Sequence, residues 1–178
     1  MEHPVGGFQK PHGFFAEEQV WYMPGTGKEP VAYTGKTDIA LAVIELMKLA
    51  LKDPDSVPPH VRIVGDNLPP PQIVEIMNRA ANGKTHITLK LINDAQAKEL
   101  FSKLIFEPPK GEEHAFDQQF MNEIATRVFT MSGGGGNLDF TENHNELVNP
   151  GESKWKWKRI EDYAKEVDGM PIELEYMR

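Results

Sequence analysis

Between Asp38 and Leu51 the chain carries Ile39, Leu41, Val43, Ile44, Leu46, Met47, Leu49 and Leu51, interrupted only by Glu45, Lys48 and alanines. Successive helical residues turn by about 100°, so these side chains cannot share one face. A helix apolar almost all round is expected to be buried on most sides, which requires strands or other helices around it. The stretch is too short and too charged to span a bilayer. Its entry, Gly35-Lys36-Thr37, imitates the end of a phosphate-binding loop. Such a loop needs a glycine about five positions earlier, so that backbone N–H groups can curl around phosphates. Pro30 stands there, with no N–H and a fixed φ. A second Gly-Lys-Thr, from Gly83, has Asn78 at the corresponding place and follows a helical pattern instead of opening one. Both are read as helix ends, with Thr37 and Asp38 in the N-cap region of the apolar helix.

The rest of the chain alternates short strands with helices. Residues 1–29 are rich in glycine and proline and read as loop with one short helix. Val31–Thr34 and Val61–Val64 read as strands. Pro70 and Pro71 suit a first helical turn, Ile73, Ile76, Met77, Ala80 and Ala81 form its stripe, and Gly83 follows its end. Ile87, Leu89 and Leu91 alternate with His86, Thr88 and Lys90, the pattern of a half-buried strand. Asn93 or Asp94 can cap a helix bearing Leu100, Phe101, Leu104 and Ile105, stopped by Pro108-Pro109. Phe116, Phe120, Ile124 and Val128 mark another helix, broken by Gly133 to Gly136. A short helix near Ile160–Val167 and a final strand in "MPIELEY" complete an α/β arrangement with few strands and several helices. The division expected is a loop-like segment over 1–12 and one domain over 13–178.

Composition narrows the chemistry. At 178 residues, 39% hydrophobic and 26% charged, the chain suits one globular domain. A net charge of −8 opposes general nucleic-acid binding, which needs a basic face. Without cysteine there is no disulfide, thiolate metal site or cysteine nucleophile. The start, "MEHPVGGFQKPHG", has no apolar core of a secretory signal, so the cytoplasm is the expected location. His3, His12, His60, His86, His114 and His144 do not stand at metal-ligand spacing, and no G-x-S-x-G elbow occurs. Glu112-Glu113 and the carboxylates around Asp139 and Glu142 are read as solvated. "GGGGN", from Gly133, follows a helix and is read as a hinge, not a dinucleotide fingerprint. "KWKWKR", from Lys154, offers two readings: a stacking platform for single-stranded nucleic acid or a membrane surface, or tryptophans packed on the core with lysine stems reaching outward. The acidic chain around it favours packing, and neither nucleic acid nor membrane is expected as a partner.

Three segments, "YTGKTDIALAVIELM", "VRIVGDNLPPPQIVEIMNRAANGKTHITL" and "NLDFTENHNELVNPGESKWKWKRIEDY", resemble one family. Together they are similar to the C-terminal half of NmrA-like and isoflavone-reductase-like proteins, atypical short-chain dehydrogenases, with the fungal members closest. The resemblance runs from about Gly13 to Gly169 and is most specific in the third segment. It implies a Rossmann-type fold and NADPH-dependent reduction of an aromatic or related small molecule. It places an aromatic near nicotinamide and substrate, for which Phe14 and Phe15 are the substrate-binding candidates; both also read as core aromatics. In the family, the Gly-rich strand–turn–helix for NADP(H) and the catalytic lysine lie in the N-terminal half. No such glycine pattern occurs here. The expectation is a truncated oxidoreductase that is inactive alone and does not hold NADP(H) tightly. A non-catalytic binding or regulatory module and a cofactor-independent enzyme on a hydrophobic molecule are the alternatives. Faces of the apolar helix that would meet the missing half should stay open, favouring self-association or a protein partner.

Overall fold

The computed structural model describes residues 13–104, 117–133 and 138–170. The expectations for residues 1–12, for Ile105 to Phe116, for Gly134 to Asn137 and for the strand in 171–178 lie outside the described residues.

The chain is a mixed α/β fold, with six α-helices and two small sheets among the described residues. Phe14–Phe15 (β1) turns into Val20–Pro24 (β2), an antiparallel pair that sets Phe14 opposite Trp21. Thr88–Ile92 (β5) lies parallel to β2 on its other side, Val20 opposite Thr88. The loop expected up to residue 29 is therefore partly sheet. Its glycines and prolines obscured a run, Val20-Trp21-Tyr22-Met23, whose bulky residues suit a pleated surface. The second sheet pairs Val31–Tyr33 (β3) with Asp66–Leu68 (β4), antiparallel, with Tyr33 opposite Asp66.

The expected strand over Val61–Val64 is not one. Its backbone bonds to His144 and Asn145 instead of a ladder. Arg62 N–H donates to His144 Nδ1 (3.1 Å), His144 N–H to the Arg62 carbonyl (2.7 Å), and the Asn145 amide bonds both polar groups of Val64. Strand geometry begins only at Asp66.

Alternation along β2 sorts the helices into layers. Trp21 and Met23 enter a core with Phe14, Ile73, Met77, Ile87, Tyr163 and Ala164. Tyr22 faces the other way, with Ala97, Phe101, Ala125 and Phe129. The first layer holds Pro70–Ala81 (α2) and Ile160–Glu166 (α6). The second holds Asp94–Ser102 (α3) and Gln118–Gly133 (α4). Sequence chemistry accounts for their ends. Prolines open α2, and Asn82 and Gly83 close it with positive φ. Asn93 and Gln96 form a capping box on α3. Gly169, at φ +73, packs so tightly on α2 that an added Cβ would lie 2.2 Å from the Met77 carbonyl oxygen. On β5, Ile87 just before the strand is buried, but Leu91 is 48% exposed, so the apolar alternation fades toward the strand's end.

The apolar helix spans Lys36–Lys52 (α1), and the expectation of burial on most sides is wrong for it. Only Asp38 and Ala42 are buried in it. Ala42 packs with Val148 and Trp157, beside the short helix Asn145–Val148 (α5). Val43 and Ile44 (each 47% exposed), Met47 (60%) and Leu51 (85%) form an open stripe. One side of α1 meets the fold; the other meets no element among the described residues. Thr37 and Asp38 do not cap it either. Gly35 is the N-cap residue and makes no side-chain bond, while Asp38 is turned to another use.

Candidate functional site

The polar chemistry of the molecule concentrates where β3, the start of α1, and the segment leading into α6 meet. Asp38, 4% exposed, accepts a hydrogen bond from the backbone N–H of Lys158 (2.9 Å). Thr34 donates to the Ile63 carbonyl (3.1 Å), and Gly65 N–H to the Tyr33 carbonyl (2.8 Å). The Arg159 guanidinium donates to the Gly65 carbonyl, pairs with Glu152 at 2.5 Å, and stands 3.8 Å from Asp66. Asp66 in turn accepts from Ile160 N–H (2.6 Å). Gly65 is glycine for a steric reason: an added Cβ would lie 2.5 Å from the Lys158 carbonyl oxygen.

Burial sets the electrostatics. It pushes the Asp66 carboxyl up from its ordinary value, outweighing the Ile160 N–H and the Arg159 charge, both of which favour the carboxylate. Burial likewise pushes the Tyr33 phenol well above the usual range. Asp139 accepts from Thr141 and from Asn67 Nδ2 (2.7 Å to the latter), and these donors lower its carboxyl.

"KWKWKR" is held from within. Asn149, fully buried, accepts from Lys154 N–H (2.9 Å) and donates to the Trp155 carbonyl (2.8 Å). Lys154 crosses to Glu45 of α1 (2.6 Å) and Lys158 to Glu166 (2.6 Å). Trp155 and Trp157 meet edge to face at 5.1 Å, and Trp157 is 3% exposed. A ring so placed is part of the core, and all three lysines stand within 3.9 Å of a carboxylate.

Tyr33, Gly35, Lys158, Arg159 and Tyr163 line a cleft of about 10 Å³, room for about one water molecule. Even a benzene-sized ligand needs a cavity of roughly 150 Å³. Phe14 and Phe15 do not reach this cleft. Phe14 is fully buried beside Trp21, and Phe15 stands edge to face on Tyr22 at 5.4 Å. Among the described residues no group of histidines and carboxylates could hold a metal ion, and no helix is long and apolar enough to cross a membrane.

The described residues do not fit the pyrophosphate of NADP(H), which needs free N–H groups at a helix start. The buried Asp38 carboxylate lies in the first turn of α1. Pro69, Pro70 and Pro71 deprive α2 of donors. The capping box occupies α3, and Asp117 accepts from Phe120 N–H at α4.

No family model matches the chain, and no curated protein or solved structure is significantly similar to it. The hydrogen bond from Lys158 N–H to Asp38 was missed in the sequence. Asp38 and Lys158 are 120 residues apart, and nothing local in either marks the other. The hint was Asp38, a carboxylate set in the first turn of a helix rich in aliphatic residues.

Proposed function

We propose that these residues are the substrate-side portion of an NmrA-like, isoflavone-reductase-type NAD(P)-dependent oxidoreductase acting on an aromatic or related small molecule. In this reading the portion is Rossmann-derived, cytoplasmic and inactive by itself. Hydride transfer then requires a Gly-rich strand–turn–helix and a catalytic lysine from outside the described residues. One observation supports it above others: the three segments that carry the family resemblance interlock as one hydrogen-bonded unit. Asp38 reaches Lys158, Arg159 reaches Gly65, and Asn145 reaches Val64. A signature spread over distant stretches is what a shared fold would preserve. The parallel pairing of β2 with β5 is compatible with a piece of a larger parallel sheet.

A second reading, a non-catalytic binding module of the same type, is favoured by the size of the cleft, which admits no aromatic substrate. NADPH titration of the purified chain, followed by fluorescence and calorimetry, tests the leading proposal. No saturation below about 1 mM is expected. A micromolar dissociation constant, or NADPH oxidation by the chain alone with an aromatic carbonyl compound, would sink the inactive-alone reading. Restored turnover on adding the cofactor-binding half of a fungal relative would separate the oxidoreductase from the binding module.

A further inference from the structure

We propose that the open face of α1 pairs with the same face of a second copy, antiparallel, about a twofold axis. This rests on the geometry of α1 and not on the family reading. Ala40, Val43, Ile44, Met47 and Leu51 recur at helical spacing and are all exposed. They form one continuous stripe with no charged residue inside it. A twofold contact requires a patch complementary to itself when reversed. The stripe meets this requirement. Its midpoint lies level with Glu45, whose own side chain points away, 16% exposed and bridged to Lys154. About that point, Val43 faces Met47 of the other copy, and Ala40 lies near its Leu51.

The charges at the two ends agree with this register. Lys36 precedes Glu45 by as many residues as Pro54 follows it. Reversal therefore sets each exposed Lys36 beside the exposed Asp53 and Asp55 of the other copy, in the 3₁₀ turn that closes α1. A parallel pairing would instead set Lys36 on Lys36 and the two aspartates on their own copies. A helix of 17 residues is about 25 Å long, so the pair buries less than the roughly 800 Å² per partner of a standard interface. The dimer is accordingly weak and concentration-dependent.

The chain has no cysteine, which permits a direct test. Under mild oxidation, Ile44→Cys near the axis should form a symmetric disulfide dimer, since the two sulfurs meet within bonding reach. Leu51→Cys, far from the axis, should not cross-link to itself. Sedimentation between about 1 µM and about 500 µM should show a monomer–dimer equilibrium. Met47→Glu should weaken it more than about tenfold at unchanged circular dichroism and melting temperature. Lys36→Asp should weaken it by about tenfold, and adding Asp55→Lys should restore it. A monomer at every concentration would overturn the proposal, as would a dimer indifferent to Met47→Glu. Cross-linking of Leu51→Cys in preference to Ile44→Cys would overturn the antiparallel register.

Discussion

The carboxylate of Asp38 holds the backbone N–H of Lys158 at 2.9 Å, joining the first turn of α1 to the approach to α6. The Asp38 carboxylate is buried, so little water can replace this bond. Asp38→Ala takes away this acceptor and should cost ~2–3 kcal/mol, while Asp38→Asn keeps an oxygen there and should cost about half as much. Urea denaturation measures both. Equal losses would show that the charge, not the acceptor, matters.

Gly65→Ala should destabilise by ~1–3 kcal/mol, because the new Cβ meets two backbone oxygens, Lys158 at 2.5 Å and Tyr33 at 3.0 Å. Neither can swing aside as a side chain would. Gly83→Ala, with nothing within 4 Å but a φ of +79°, should lose only ~1 kcal/mol from strain. The difference between the two melting temperatures isolates the close approach.

Trp157→Ala should cost ~3–5 kcal/mol, as for a fully buried aromatic, and Trp155→Ala less. Neither substitution should change affinity for single-stranded oligonucleotides, measured by fluorescence anisotropy. Loss of such binding with stability intact would restore the stacking platform.

Local patterns made α2, α3 and α6 legible. Proline at a helix start, an Asn or Asp able to cap, and a glycine past the end act within a few residues, and their signals survive in the linear chain; the box that Gln96 completes with Asn93 was not read. Tryptophan packing was legible too, from charge balance. What failed was tertiary. Val61–Val64 had the composition of a strand but found His144 and Asn145, at the start of α5, as its partners. Phe14 to Pro24 folds back on itself as a hairpin, and β5, far along the chain, then pairs with its other edge. The apolar content of α1 specified a helix correctly but not how much of its surface would meet the rest of the fold.

Asp66 sets an acid-side pH dependence. Its carboxyl is raised above the ordinary 3.8 by burial, so the native chain holds this proton more tightly than the unfolded chain. Its contribution is therefore full below about pH 3.8 and lost as pH rises through the raised value. Asp66→Asn, which cannot ionise, should remove that decline. Denaturant midpoints from about pH 3.5 to about pH 6, compared between the two proteins, should converge at the acid end and diverge toward neutrality in favour of the variant. A larger decline in the variant would reverse the assignment.

The parallel ladder between β2 and β5 also fixes an order of events in time. β1 and β2 are neighbours in sequence and can meet within microseconds, as hairpins do. β5 is separated from β2 by β3, α1, β4 and α2, so the entropy of closing that long loop slows its pairing relative to the hairpin. Until β5 pairs, one edge of β2 stays open, and an open strand edge is a template for aggregation of a newly made chain. Dilution and low temperature during refolding should raise the yield more than any stabiliser of the native state.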